Sequence, residues 1–103
     1  MPEPTPSGNA THVLRLYVAG SSLQSSRAIT NLKAICEAHL KDRYHLTVID
    51  LYEQRDRARE DQILVAPMLV RQSPLPVRRL AGDLSHTARV LTALDLSPAG
   101  IGT

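Results

Sequence analysis

The sequence is poor in aromatic residues and in cysteine. It has three tyrosines but no phenylalanine and no tryptophan among its 103 residues. A chain of this length forms one domain, and its core must be built mainly from aliphatic side chains. Such a small core gives marginal stability, so we expect added stabilisation from an oligomer or a partner surface. The single cysteine, Cys36, excludes an internal disulfide and fits a reducing compartment.

Long apolar runs and a strong net charge are also missing. No apolar stretch reaches membrane-spanning length, and the N-terminal "MPEPTPSGNAT" is polar, so we expect a cytoplasmic protein without a membrane partner. The net charge is only +2, and arginines alternate with acids in "EQRDRAREDQ", which is typical of a solvated face. Because no aromatic residues are interleaved with the basic ones, nucleic acid is not an expected partner.

The sequence contains no pattern that carries catalysis or metal binding. Paired acids in an apolar setting, a Ser-His-Asp arrangement and metal-ligand spacing are all absent, which predicts no enzyme activity, no cofactor and no metal site. The four histidines are scattered, and we expect surface positions for each of them, namely His12, His39, His45 and His86.

Hydrophobic periodicity predicts a strand, a helix and a strand in the first half of the chain. The strands are expected over 12–20 and 44–52, and the helix over 21–43, with a serine at 22, 25 or 26 as its N-cap and Lys41 and Arg43 in its last turn. Elements of these lengths form a βαβ unit with parallel strands. Cys36 lies on the apolar face of the helix, which predicts a packed core thiol.

The second half is predicted to contain a helix over 55–62, strands over 68–70 and 77–80, and a final helix over 86–96 capped by Ser85. Pro67 cannot donate to a sheet, so it belongs at the first position of its strand or at an edge. Residues 89–96 fit both helical and strand periods. We expect one domain over 12–97, a disordered tail over 1–11 and a frayed tail over 98–103.

The predicted order βαβαββα, with a proline opening the third strand, resembles a thioredoxin-like domain. Six segments in order from His12 to Leu96 resemble the KaiB family of clock proteins: "LRLYVAG", "SSRAITNL", "YHLTVIDL", "REDQILVAPMLV", "LPVRRLAGDLS" and "VLTALDL". The stretch that would hold a thioredoxin dithiol, "GSSLQSSRA", contains no cysteine, so its composition excludes thioredoxin-type redox activity. The resemblance also implies a cis peptide bond before Pro67.

The resemblance implies two structures for one sequence. The favoured fold class is α/β, a thioredoxin-like βαβαββα monomer; the alternative is a ground-state βαββααβ arrangement in a tetramer. The implied function is a non-enzymatic timing regulator that binds the KaiC ATPase hexamer and modulates KaiC phosphorylation, with a SasA-like histidine kinase as a further partner. The alternative is a redox-inactive adaptor that binds a histidine-kinase sensor or another signalling partner. Self-association as a dimer or tetramer stays open.

The resemblance also assigns residues. The implied partner contacts are Arg27, Arg71, Arg78, Arg79 and Tyr44, although the arginines could equally be solvated surface residues. The implied structural or fold-switching positions are Pro67, Gly82, Asp83, Ala93 and Asp95.

Three departures from the family pattern modify these expectations. Ala93 stands where the family usually has glycine, and alanine stabilises a helix interior by about 0.8–1 kcal/mol relative to glycine, which favours the thioredoxin-like form. Thr47 and Gln62 stand where lysines are frequent, and an acidic extension beyond Pro98 is missing. Because Thr47 lies on the implied KaiA-contacting edge, KaiA is not an expected partner.

Overall fold

Four strands and three helices follow one another along residues 11–96, which are the residues that this computed structural model describes. The elements are β1 (His12–Val18), α1 (Leu23–His39), β2 (Tyr44–Asp50), α2 (Arg55–Glu60), β3 (Met68–Ser73), β4 (Arg78–Ala81) and α3 (Thr87–Ala93). This order confirms the thioredoxin-like βαβαββα prediction; the alternative βαββααβ arrangement is not the one observed. The expectations for residues 1–10 and 97–103 lie outside the described residues.

The strands form one sheet in the order β2-β1-β3-β4, so β2 and β4 are its edges. β1 runs parallel to β2, as the βαβ unit predicts, and antiparallel to β3. β4 is antiparallel to β3. The register between β1 and β2 is unbroken, from His12 opposite Tyr44 to Val18 opposite Asp50.

Helices cover both faces of the sheet because alternate residues of each strand point to opposite sides. On one face, Leu14 and Leu16 of β1 belong to a large aliphatic core with residues of α1 and α3 such as Leu32 and Val90. On the other face, α2 covers a smaller cluster: Tyr17, Ile49, Ala58 and Val70. Among residues 11–96, no helix is long and apolar enough to cross a membrane.

The caps of α1 explain its bounds. Ser22 is the N-cap, and its hydroxyl accepts a hydrogen bond from the Ser25 backbone N–H at 3.2 Å. The helix ends at His39 rather than Arg43, so Lys41 and Arg43 do not lie in its last turn. Arg43 still satisfies a free carbonyl of that turn, because its Nη2 donates to the His39 oxygen at 3.0 Å.

The boundaries of the second half differ from the predicted ones. β3 continues to Ser73 rather than Val70, because pairing with β1 extends through its polar residues. Ser85 does not cap α3, because His86 occupies the N-cap position, where its side chain forms no capping bond. The Ser85 backbone N–H donates to Asp83 Oδ1 at 3.0 Å in the preceding turn. α3 ends at Ala93, and Asp95 has a φ of +60° that cannot continue the helix.

His12 is buried, so the surface position predicted for it is wrong. Its Nε2 lies 3.0 Å from the Leu94 carbonyl oxygen, which joins the start of β1 to the end of α3.

In β2, Ile49 is fully buried whereas Val48 is 39% exposed. An edge strand has only one neighbouring strand, so part of its apolar surface stays open.

Candidate partner-binding surface

The turn between β1 and α1 occupies the place of a thioredoxin dithiol and contains serines instead. Ser25 is buried, and its hydroxyl accepts from the Ala19 N–H at 3.1 Å while lying 2.9 Å from the Ser22 hydroxyl. These hydroxyls are bonded to the helix cap and the preceding turn, with no histidine among their hydrogen-bond partners. The two serines therefore fix the start of α1 against the preceding turn.

Cys36 lies in the core, as predicted. Its side chain is fully buried on the inner face of α1 and forms no disulfide. Burial, with a smaller contribution from the charge of Glu37, raises the pKa of the Cys36 thiol to about 12. A thiol in this state has almost no thiolate at neutral pH and is a poor nucleophile.

Pro67 opens β3, and the Ala66–Pro67 bond is cis, as the resemblance implied. The Pro67 carbonyl accepts from the Gly82 N–H at 3.0 Å, which joins the start of β3 to the end of β4. Gly82 has a φ of +111°, a backbone conformation that requires glycine. The bond between Pro67 and Gly82 thus closes the open end of the β3–β4 hairpin.

Arg71 is not a surface residue. It is 1% exposed, and its Nη1 and Nη2 each donate at 2.8 Å, to Asp95 Oδ2 and to the Pro76 carbonyl respectively. Its Nε has no hydrogen-bond partner in the described part of the chain. The expectation that Arg71 offers its side chain to a partner, or to solvent, is therefore wrong in this fold. The hydrogen bond from Arg71 lowers the pKa of Asp95 below its ordinary 3.8.

Arg78 and Arg79 are exposed on β4, yet each has an internal partner. Arg78 Nη2 lies 3.8 Å from Asp95 Oδ1, a weak ion pair. Arg79 donates to the backbone carbonyls of Asp61 and, at 3.2 Å, of Gln62, so it caps the carboxyl end of α2. Their side chains therefore face solvent while also holding α3 and α2 to the sheet.

Asp61, at the end of α2, is itself held by the sheet. Its Oδ2 accepts from Arg15 Nη1 at 2.8 Å and from the Tyr17 hydroxyl. Burial acts to raise the pKa of Asp61, but the hydrogen bonds from Tyr17 and Arg15 outweigh it, and the pKa is lowered. Arg15 and Tyr17 of β1 thus hold the Asp61 carboxylate, while Arg79 of β4 donates to the Asp61 backbone carbonyl.

Arg27 and Arg89 are exposed arginines whose side chains form no hydrogen bond with another residue of the described range. Arg89 lines a groove of about 420 Å³ between β4 and α3, together with Arg78 and His86. Arg27 lies near Asp83: hydrogen bonds from Ser85 lower the pKa of Asp83, and the positive charge of Arg27 contributes. We call Arg27, Arg78, Arg79 and Arg89 the arginine surface.

Arg89 was missed by the sequence analysis, which found only the apolar stripe of α3. Its position opposite the buried Val90 and Leu91 is visible in the helical period. The sequence could not show which residues surround Arg89 in the fold. β4 and α3 are in contact, and Arg78 and Arg89 line the same groove.

Tyr44 lies away from the arginine surface. It is the first residue of β2, at the edge opposite β4, and its hydroxyl donates to Glu37 Oε2 at 2.7 Å. That hydrogen bond is the main cause that raises the pKa of Tyr44 to about 12. The predicted contact residues therefore divide into a group near β4, a separate tyrosine at β2 and one buried arginine.

A further groove, with a volume of about 630 Å³, lies beside α2. Leu51, Ala58, Ile63 and Leu64 supply its apolar wall, and its polar residues are two arginines and a glutamine. It contains no carboxylate and no histidine. Among the described residues, no group of three histidine, cysteine or acidic side chains could hold a metal ion.

Comparison with known proteins extends these observations. A KaiB domain is matched over residues 15–96. The chain belongs to the KaiB family. It is 46% identical over 89 residues to the circadian clock protein KaiB3 of Synechocystis, covering 86% of this chain and 87% of that protein. It is 48% identical over 86 residues to the circadian clock oscillator protein KaiB of Synechococcus elongatus, covering 84% of both.

Solved structures similar to this KaiB family member are thioredoxin-like. The N-terminal domain of SasA from Synechococcus elongatus superposes with a TM-score of 0.70 at 22% identity, over 92% of both chains. Mitochondrial thioredoxin 3 of Saccharomyces cerevisiae superposes with a TM-score of 0.68 at 17% identity, over 84% of this chain and 80% of the other. At these identities the similarity shows the fold.

Proposed function

We propose that this KaiB family chain is a non-enzymatic timing regulator that binds a KaiC-type ATPase hexamer through its thioredoxin-like form and so modulates KaiC phosphorylation. The observation that carries the proposal is the combination of a thioredoxin-like fold with an open arginine surface and no thiol at the redox position. The fold thus presents the arginine surface to a partner and has no reactive thiol at the redox position.

The arginine surface suits an acidic partner. Arg27, Arg78 and Arg89 border one region at the β4 edge. Asp83 and Arg89 line a common smaller groove, and Arg27 lies beside Asp83. Arginine is the preferred cation for interfaces, since its guanidinium binds carboxylates with two parallel hydrogen bonds. Charges at such a rim act mainly on association rate and specificity.

The test is a binding assay between the purified protein and the KaiC hexamer of the same source, with and without ATP. The best variant is Arg27→Glu combined with Arg89→Glu, because neither side chain bonds another described residue. We expect weaker binding by at least about tenfold, a slower change in KaiC phosphorylation, and an unchanged circular dichroism spectrum.

A matched control reverses two exposed lysines, Lys33→Glu in α1 with Lys41→Glu between α1 and β2. This pair changes the net charge equally but lies outside the arginine surface, so it should bind as the wild type does. Equal loss in both double variants would mean that only net charge matters. Full binding by the Arg27 and Arg89 variant would remove this surface from the proposal.

The second candidate function is a redox-inactive adaptor that binds a histidine-kinase sensor domain. The fold similarity to the SasA N-terminal domain favours it, because two domains of one shape can occupy or contact the same docking site. The discriminating measurement offers purified KaiC and the kinase sensor domain in parallel. Binding to the sensor domain with no binding to KaiC would select the adaptor.

A further inference from the structure

The face of the sheet that α2 covers is closed less completely than the face that α1 and α3 cover. α2 has six residues, and the buried cluster beneath it is small: Tyr17, Ile49, Ala58 and Val70. Leu51 and Ile63 pack against this cluster but stay partly exposed. The groove of about 630 Å³ beside α2, which we call the α2 groove, is lined by both of them. The short helix therefore leaves apolar core surface open to solvent.

The helix separates charges that alternate along the sequence. In "EQRDRAREDQ", the residues that line the α2 groove have the spacing of one helical face: Arg55, Ala58, Arg59 and Gln62. The acids Asp56 and Glu60 are not among the residues that line it. A segment that reads as a mixed, solvated face in sequence therefore presents only positive charge to the groove.

Both arginines are free to bind an anion. The Arg55 side chain is exposed and forms no hydrogen bond or ion pair with another residue of the described range. Arg59 Nη1 lies 3.9 Å from Asp56 Oδ1, and both of these side chains are more than four-fifths exposed, so the pair is weak. Residues four positions apart on a helix are neighbours, so the two guanidinium groups can reach one carboxylate.

Backbone hydrogen bonds form the end of the groove before any ligand arrives. Gln62 has a φ of +55°, and its N–H donates to the Arg59 carbonyl at 3.0 Å. The Ile63 N–H donates to the Ala58 carbonyl at 2.9 Å. This pair of bonds is a Schellman motif, which turns Ile63 back towards Ala58. Because the wall is already ordered, a ligand would lose little free energy in ordering it.

We propose that the α2 groove binds a free single-chain amphiphilic carboxylate, such as a fatty acid. The chain would lie along Leu51, Ile63 and Leu64, and the carboxylate would bond Arg55 and Arg59. Leu64 is 92% exposed, so the ligand would cover an apolar side chain that the fold leaves open. The volume lies within the range of about 300–1,000 Å³ that is typical of small-molecule sites.

The shape of the site favours a single chain over a membrane surface. Proteins that lie on a bilayer insert a projecting apolar face between the headgroups, whereas the α2 groove is a hollow between α2 and the segments that flank it. The positive charge of its two arginines selects an anionic head over a cationic one.

This site goes beyond the proposed function and does not depend on it. None of the four residues of the arginine surface lines the α2 groove. Loss of KaiC binding would leave the carboxylate site in place, and failure of the carboxylate to bind would leave the KaiC proposal as it stands.

The experiment titrates the full chain with decanoate, below its micelle-forming concentration, and follows the amide resonances by NMR. We expect saturable shifts confined to residues 51 and 55–64, with a Kd on the order of 0.1–1 mM. Decyltrimethylammonium, a cation with the same chain, should bind at least about tenfold more weakly. Arg55→Gln with Arg59→Gln should raise the Kd of decanoate by about fivefold and narrow its difference from the cation.

Two further variants separate the apolar contact from net charge. Leu64→Ser should weaken decanoate binding because it removes part of the apolar wall, and its exposed position should leave the circular dichroism unchanged. Lys33→Gln with Lys41→Gln removes the same charge at exposed positions outside the groove and should bind as the wild type does. An equal loss of binding in the lysine and arginine variants would overturn the proposal.

Three other results would also overturn it. They are the absence of saturable shifts in the wild type, shifts that map outside the groove, and equal binding of the anion and the cation. Cosedimentation with vesicles of phosphatidylcholine and phosphatidylglycerol tests the membrane alternative. We expect none. Vesicle binding that requires Arg55 and Arg59, without binding of free decanoate, would assign the groove to a lipid surface instead.

Discussion

Arg71 Nη1 and Asp95 Oδ2 lie 2.8 Å apart, although the two side chains differ greatly in their contact with solvent. Arg71 is 1% exposed, whereas the Asp95 side chain is 52% exposed. The pair joins the middle of β3 to the residues that follow α3, and Arg71 adds a second bond to the Pro76 carbonyl. One buried guanidinium therefore holds two separate segments.

Replacing Arg71 with lysine should lower stability. One ammonium group cannot bond Asp95 and the Pro76 carbonyl with the geometry of the guanidinium, so one of the two acceptors loses its donor. We expect Arg71→Lys to reduce the free energy of unfolding by about 1–3 kcal/mol, measured by urea denaturation. The control is Arg59→Lys in α2, whose side chain is 81% exposed; it should change stability by less than about 0.5 kcal/mol. Equal effects in both variants would contradict the role of Arg71.

Stability should fall in acid because the pKa of Asp95 is lowered in the folded state. A lowered folded pKa contributes stability that is present above the unfolded value of 3.8 and is lost as the pH falls through the folded pKa. We expect the unfolding free energy of wild type to decline in this acidic window, and Asp95→Asn to flatten the decline. Asp56→Asn, a change at an exposed side chain, should leave the profile as it is in wild type. A profile unaltered by Asp95→Asn would show that this carboxylate does not contribute.

Cys36 should resist thiol reagents until the protein unfolds. Burial raises the pKa of its thiol to about 12, so the thiolate fraction at neutral pH is on the order of a thousandfold below that of a free cysteine. We expect labelling with an aromatic disulfide reagent to be slow in buffer and rapid in urea. Ser21→Cys, at an exposed position in the turn before α1, gives the matched reactive thiol. Rapid labelling of native wild type would show that Cys36 is accessible.

Ala93→Gly tests whether this position favours the helical form of the C-terminal segment. Ala93 is the last residue of α3 rather than an interior one, so the interior difference of about 0.8–1 kcal/mol is an upper bound for the cost. We expect a decrease in the helical Cα chemical shifts across residues 86–94 of the variant. Ala88→Gly, in the first turn of α3 and exposed, provides the comparison. Unchanged shifts in Ala93→Gly would exclude a role for this residue.

Much of the fold was predictable because it depends on short-range patterns. The apolar period of residues 28–40 identified α1, and Pro67 located the start of β3. The predicted parallel pairing of β1 with β2 also holds. In each case the prediction rests on a local property of the residues, either the spacing of apolar side chains or the missing backbone N–H of Pro67.

The positions of charged and polar residues were less predictable. Arg71 lies in a strand that pairs on both sides, and its partner Asp95 is 24 residues away along the chain. His12 bonds a carbonyl 82 residues away. Nothing local to either residue indicates that a distant acceptor will satisfy it, so a surface position was the natural expectation and was wrong. Ser85 failed as a cap because the helix begins one residue later than expected, with His86 at the N-cap position.

The two bonds from Arg79 to the end of α2 have a consequence for any ligand that contacts this guanidinium. A carboxylate arriving at β4 competes with the Asp61 and Gln62 carbonyls, and a guanidinium that turns outward leaves those carbonyls to solvent. The carboxyl end of α2 would then lose both of the hydrogen bonds that Arg79 donates to it. Ligand binding at the β4 edge is thereby coupled to the order of the last turn of α2.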